Sequence, residues 1–490
     1  MHTRTFQNPI LPGFYPDPSI TKKGTDFYLV CSTFSYFPGI PLFHSKDLVH
    51  WEQLGNVVTR SSQADLEKYQ IYAATIRYRA YDDTFYVVTT LVKPGSYYEN
   101  INVYYTAKDP GGPWSDAHAV KGAEGIDPTL VFDGEDVWYL GNMRVEPENN
   151  DNKSRWIWLQ ELDLETNTLV GEKHILRKDG ALYGAMCPEG PHIYHRGTWY
   201  YLLIAEGGTK HNHAASVFRS KAITGPYEGN PRNPVLTHRN LSMDSLVNSV
   251  GHADLVETQD ETWAVCLGVR PCGGAMFRNL GRETFLVPVI WEQDWPVFAP
   301  KTGHVELIEK APRLPGKTYP EEPACDLFTA ERELGPYWLL EHTFDPLPYS
   351  LDKGGLTLRR ARLFRRLRSM HWRAELTVGT RTDGASLMLL ADQKNWMRLG
   401  KQKGKLVLTV CDKGKEADVW ESPGSSCELA VEGDKLDIQF FVKQNDAWKT
   451  AGELQDGRIL SDYYSFTGNM VGMESTQEAR FLSFSLVALH

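Results

Sequence analysis

Asp26-Phe27-Tyr28-Leu29-Val30 reads as a polar turn running into an aromatic-rich strand. The chain returns to that pattern four more times: Thr84-Phe85-Tyr86-Val87-Val88, Val137-Trp138-Tyr139-Leu140, Thr198-Trp199-Tyr200-Tyr201-Leu202 and Thr262-Trp263-Ala264-Val265. The leading aromatics, at 27, 85, 138, 199 and 263, lie 53 to 64 residues apart. A repeat of that length holds several strands, which is the sequence signature of propeller blades. Five repeats predict five blades.

A shorter apolar strand precedes each aromatic one across a Gly- or Asp-containing turn: Pro18-Ser19-Ile20, Thr75-Ile76-Arg77-Tyr78, Pro128-Thr129-Leu130-Val131-Phe132, Pro191-His192-Ile193-Tyr194 and Asp254-Leu255-Val256. As first strands of their blades, these line the central channel. At 490 residues the chain exceeds the ~250–300 at which a single core stops growing, so a second domain is expected. Pro312-Arg-Leu-Pro-Gly-Lys-Thr-Tyr-Pro-Glu-Glu-Pro323 favours an extended connector. Beyond it, Gly355–Leu358, Trp372–Val378, Leu406–Val410, Leu436–Phe440 and Phe481–Leu486 alternate or run apolar as strands do. The expected fold is all-β: a five-bladed β-propeller over 1–311, a Pro-rich linker over 312–323 and a C-terminal β-sandwich over 324–490.

A net charge of −10 without a basic block gives no electrostatic footprint for nucleic acid. No apolar run reaches the ~18 residues that read as a membrane span, and the first residues lack a secretory pattern. A soluble, cytoplasmic protein is expected. The seven cysteines stand singly, without zinc or redox spacing, and read as free thiols.

Counting back ten or eleven positions from each repeat's aromatic reaches Asp17, Thr75, Asp127, Glu189 and His252. Equivalent positions in blades surround one axis, so three carboxyl groups should gather at the channel mouth. Paired carboxyl groups with divided acid and base duties are what glycosidic cleavage requires. Taken alone, Asp-Pro or Glu-Gly-Pro is a turn former at a strand start. Recurrence near one level of the repeat favours chemistry.

The motifs Asn8-Pro9-Ile10-Leu11-Pro12-Gly13-Phe14-Tyr15-Pro16-Asp17-Pro18-Ser19-Ile20, Gly125-Ile126-Asp127-Pro128-Thr129-Leu130, Glu189-Gly190-Pro191-His192-Ile193-Tyr194 and Gly281-Arg282-Glu283-Thr284-Phe285 resemble glycoside hydrolase family 43, in particular its two-domain β-xylosidases and α-L-arabinofuranosidases. The resemblance covers nearly the whole chain and implies a concanavalin-like sandwich. It also implies an inverting, exo-acting enzyme that takes terminal arabinofuranose or xylose from pentose-containing oligosaccharides. Carried over by motif, Asp17 is the general base, Glu189 the general acid and Asp127 the residue that tunes and orients the acid.

Phe34 resembles the aromatic that packs on the terminal sugar, with Tyr72 a weaker candidate for the same role. Arg270, in Gly268-Val269-Arg270-Pro271, matches an arginine that reaches substrate or the carboxylates. Phe466, in Ser465-Phe466-Thr467-Gly468, resembles a sandwich loop closing over the sugar. His252, in Gly251-His252-Ala253-Asp254, matches a histidine near the axis that either helps hold a hydrated calcium or fills the channel. Calcium prefers six to eight oxygens, and no flanking carboxylate set accompanies this ring. His211 and His213 are expected in a blade-edge loop facing the sugar. Tyr72-Ala73-Ala74-Thr75 replaces the Trp-initiated Ala-Pro-Thr of many relatives and leans toward arabinofuranosidases without deciding the sugar. Association into homo-oligomers stays open. The competing non-enzyme reading is a plant-glycan-binding protein on a hydrolase scaffold, and retention of all three carboxylates argues against it.

Overall fold

The computed structural model describes residues 4–96, 99–144, 155–181, 184–274, 277–329, 333–379, 383–424, 426–461 and 466–489. Each aromatic repeat forms the second strand of an antiparallel sheet. Blade 1 is Ser19–Lys23, Asp26–Val30, Gly39–Ser45 and Glu52–Val58; blade 2 is Thr75–Arg79, Thr84–Val92, Ile101–Ala107 and His118–Ala119. Blade 3 is Thr129–Asp133, Asp136–Arg144, Arg155–Asp163 and Thr168–Arg177. Blade 4 is Glu189–Arg196, Trp199–Glu206, Ala214–Ser220 and Glu228–Gly229; blade 5 is Asn248–Glu257, Thr262–Val269, Glu283–Glu292 and Trp295–Phe298.

The second strands are apolar on both faces because each blade is covered by two others. All nine residues of Thr84–Val92 and all eight of Thr262–Val269 are buried. Side chains from adjacent blades merge into continuous clusters: Tyr86 and Val88 with Leu130 and Tyr139, Leu140 with Ile193 and Leu202, Leu203 with Val250 and Phe285, Leu29 with Val265 and Leu286. Between blades 1 and 2, Tyr28 and Phe85 meet edge to face at 5.0 Å.

The ring is closed by its own beginning. Thr5–Gln7 pairs antiparallel with Ile308–Lys310, and Leu11 bridges Thr284 on blade 5. Asn8 is buried and clamps the junction. Its Nδ2 donates to the carbonyls of Leu286 (2.9 Å) and Glu306 (3.0 Å), while its Oδ1 accepts from the Leu286 amide (2.9 Å). Replacement Asn8→Ala strands the Leu286 amide, and a buried unsatisfied group costs about 1–3 kcal/mol beyond the lost bonds. A thermal melt of the variant should show a clear fall in Tm, and an unchanged Tm would refute the clamp.

The chain divides into two compact units, Met1–Leu11, Tyr15–Val269 and Glu283–Pro320 against Pro12–Phe14, Arg270–Arg282 and Glu321–His490. The second is a β-sandwich organised by the 19-residue strand Met470–Ala488. That strand pairs first with Gly355–Arg366 and Ala385–Asp392, then with His371–Val378, so one strand serves both parts of the sheet system. His371–Val378 alternates in burial, as a strand with one face on a core should. Relative to the expected division at 312–323, two short early segments belong to the second unit, and local bonding explains why. Arg366 Nε donates to the Phe14 carbonyl at 2.8 Å, and Asn279 Nδ2 donates to the Gly457 carbonyl at 2.9 Å.

Candidate active site

Asp17 and Asp127 share one local design. Each precedes a proline, stands two residues before the first residue of its inner strand and adopts a left-handed backbone, with φ of 52° and 54°. Aspartate tolerates that conformation better than most residues. Both are buried. Ser32 Oγ donates to Asp17 Oδ2 at 2.7 Å, fixing the carboxylate from the end of the neighbouring strand. The loop carrying Asp127 is anchored by Gly125 (φ 85°), where a Cβ would fall 1.6 Å from the Asn142 carbonyl oxygen. Asn142 Oδ1 also accepts from the Ile126 amide at 3.2 Å. Gly125→Ala therefore meets both a left-handed backbone, worth about 1–2 kcal/mol for an L-residue, and a backbone clash. Lower Tm together with lower kcat is expected, and retention of both would show that the loop is not held here.

Blade 4 breaks the count used on the sequence. Its inner strand carries a bulge between Glu189 and His192, so Gly190, at φ +54°, occupies the place that Asp17 and Asp127 hold in their blades. Glu189 stands one residue earlier. Only glycine suits position 190, because a Cβ there would lie 2.9 Å from the ring of His252. His252, itself left-handed at φ 48°, holds the corresponding place in blade 5. Its Nδ1 is 4.0 Å from Asp17 Oδ1. The His252 ring thus stands against both Asp17 and the backbone next to Glu189. In blade 2 the corresponding residue is Ala73; Thr75 belongs two residues deeper, level with Ser19, Thr129, His192 and Asp254.

That deeper level is a polar hub drawn from all five inner strands. Asp254 Oδ2 accepts from Ser19 Oγ (2.7 Å), the Ile20 amide (3.0 Å) and Arg77 Nη1 (2.8 Å). Its Oδ1 accepts from Arg77 Nη2 (3.1 Å) and the Tyr194 hydroxyl. Arg77 Nη2 also donates to His192 Nδ1 at 2.8 Å, beside Thr129 Oγ1 at 2.9 Å. Burial alone would raise the Asp254 carboxyl, but the Arg77 charge overrides it and holds the group well below the usual carboxylate range. His192 is pushed down to about 3, chiefly by burial, with Arg77 and His252 opposing the pull of Asp254. It is neutral at every working pH.

Phe34 and Tyr72, both expected at the sugar, are brought together. Phe34 N and O bond with Ile71 at 2.9 and 3.0 Å, and the Phe34 and Tyr72 rings meet at 5.2 Å. Arg270 and Phe466 belong to the second unit. There Arg282 Nη2 donates to the Phe466 carbonyl at 3.3 Å and its guanidinium lies 5.6 Å from the Phe466 ring. His213 ends the loop between Trp199–Glu206 and Ala214–Ser220; it is fully buried, its Nδ1 is 3.1 Å from the Ser249 carbonyl, and its ring fills the space over Gly251. At the level of Asp254 the residues do not fit calcium. Asp254 already accepts five donors, and among the described residues no three His, Cys, Asp or Glu side chains stand together as metal ligands.

Sequence reading missed Ser32, Arg77 and the part played by Asp254. For Asp254 the available signal was period-two alternation, which puts residues 17 and 19, 127 and 129, or 252 and 254 in successive layers of one channel.

Comparison with known proteins agrees with this architecture. The profile described as Glycosyl hydrolases family 43 matches residues 6–296, and that of the Beta xylosidase C-terminal Concanavalin A-like domain matches 325–481. A xylosidase/arabinosidase of Butyrivibrio fibrisolvens is 50% identical over 305 residues, which are 61% of this chain and 57% of that protein. A non-reducing end alpha-L-arabinofuranosidase of Bacteroides ovatus is 36% identical over 502 residues, covering 96% of this chain and 91% of that one. The crystal structure of a xylan beta-1,4-xylosidase from Bacillus halodurans superposes with a TM-score of 0.91 at 31% identity, over 98% of this chain and 99% of the other. Five blades, three of them with a carboxylate at the inner end, a concanavalin-like second domain and matches along both lead to one conclusion: the chain belongs to glycosyl hydrolase family 43 and is a glycosidase.

Proposed function

We propose that Asp17, Asp127 and Glu189 carry out the hydrolysis, as base, modulator and acid in turn. The enzyme is an inverting, exo-acting glycosidase that releases terminal α-L-arabinofuranose and/or β-D-xylose from arabinoxylan or xylo-oligosaccharides. Asp17 takes a proton from water as that water attacks the anomeric carbon, and Glu189 protonates the departing glycosidic oxygen from the opposite face. Asp127 tunes and orients the acid.

The observation that carries this reading is the arrangement at the channel mouth: identical left-handed Asp-Pro turns in blades 1 and 3, Glu189 beside the matching turn of blade 4, and His252 against the first and last of these. Ser32 holds Asp17 in one rotamer, which favours a base with a fixed direction of approach. Phe34 and Tyr72 supply adjoining ring faces for the apolar side of a sugar.

Paired nitrophenyl β-D-xyloside and α-L-arabinofuranoside assays, with the anomer of the first-formed sugar followed by NMR, test the reading. Release of one or both pentoses with inverted configuration is expected. Retained configuration would overturn the division of roles, since it requires a carboxylate nucleophile in place of a water-activating base.

A further inference from the structure

Beneath the carboxylates the axis holds a charge pair for which the hydrolysis has no direct use. Arg77 of blade 2 and Asp254 of blade 5 meet at 2.8 Å, with side chains 15% and 0% exposed. The five donors on Asp254 leave its oxygens no lone pair directed at anything else. A guanidinium has only donors, so His192 Nδ1, 2.8 Å from Arg77 Nη2, must accept. The ring proton is then on Nε2. That atom is buried and has no hydrogen-bond partner among the described residues. A ring in this tautomer presents an N–H at Nε2, which can donate to water but cannot ligate a cation. At this level, then, the groups that a divalent ion would recruit are engaged by Arg77, the carboxylate directly and the histidine through its tautomer.

We propose that Arg77 is the built-in cation of the propeller axis, a positioning residue that neutralises Asp254 where a metal ion would otherwise be required and so holds the inner strands bearing Asp17, Asp127 and Glu189 in register. Arg77 bonds to side chains or backbone of blades 1, 2, 4 and 5 at once, and Thr129 joins blade 3 through His192. Loss of Arg77 leaves a buried carboxylate uncompensated, which is far more damaging than removing both charges together.

The experiment compares the wild type, Arg77→Ala and the charge-neutral pair Arg77→Met with Asp254→Asn, each melted and assayed after chelation, with added calcium and with millimolar guanidinium. The wild type should melt and turn over identically after chelation and with calcium. Arg77→Ala should melt lower and lose about tenfold to a hundredfold in kcat, the scale of a small misplacement of reacting groups. Calcium or guanidinium should raise its Tm and return part of the kcat, and the neutral pair should recover both without either additive. If Arg77→Ala does not fold unaided, the yield of folded protein on refolding with each cation gives the same comparison. A wild-type Tm that falls on chelation, or an Arg77→Ala variant indifferent to both cations with no recovery in the neutral pair, would overturn the proposal. The activity readout rests on the role given to the three carboxylates, but the melts do not. Cation-dependent melting in Arg77→Ala alongside fully active Asp17 and Glu189 variants would reject the carboxylate roles and leave Arg77 as the axial cation.

Discussion

Glu189→Gln should lower kcat/KM on xylo-oligosaccharides by about 10²–10⁴-fold, the usual contribution of a general acid, while costing far less on nitrophenyl glycosides. The difference comes from the leaving group. A sugar alkoxide cannot depart without a proton, whereas a nitrophenolate can. Glutamine keeps the size and hydrogen-bonding reach of the side chain, so the bulge between Glu189 and His192 and the close approach of His252 to Gly190 are retained. The alkaline limb of the pH–rate profile should also flatten, because no acid remains to be lost. Equal losses on both substrates would show that Glu189 does not protonate the leaving oxygen.

Asp17→Asn is expected to reduce kcat by a similar ~10²–10⁴-fold, but on every substrate regardless of leaving group, because the missing function is deprotonation of the attacking water. KM should change little. Ser32 can still donate to the asparagine carbonyl oxygen, so the side chain keeps the anchor it has at 2.7 Å in the wild type. The flattened limb is now the acidic one. A variant whose loss depended on the leaving group would exchange the two roles, and one that kept full activity would remove Asp17 from the mechanism.

The number of blades was legible because the second strand of each is enclosed by neighbours, and enclosure demands the uninterrupted aromatic and aliphatic runs seen at Phe27, Phe85, Trp138, Trp199 and Trp263. The placement of Asp17 and Asp127 just ahead of inner strands was legible for a local reason: the Asp-Pro turn is itself the backbone device that presents the carboxylate. Glu189 was expected level with Asp17 and Asp127 and stands one residue earlier, since a bulge adds a residue without marking the sequence. Arg77 could not be singled out. An arginine in a strand reads as a solvated face until the partner 177 positions away is known to share its axis. The assignment of Pro12–Phe14 and Arg270–Arg282 to the second unit likewise depends on contacts that no local pattern encodes.

The pairing of Thr5–Gln7 with Ile308–Lys310 also constrains how the protein is made. Thr5–Gln7 has no partner until some three hundred further residues have followed it from the ribosome, which at ~5–20 residues per second takes roughly 15–60 s. Until then Thr5–Gln7 is unpaired and the face of blade 1 that packs on blade 5 is uncovered. Such long-range closure is slow and leaves strand edges exposed to aggregation. Chaperone capture of Thr5–Gln7 and the open face of blade 1 during synthesis is therefore expected to raise the yield of active enzyme, and an unchanged yield on chaperone co-expression would count against this cost.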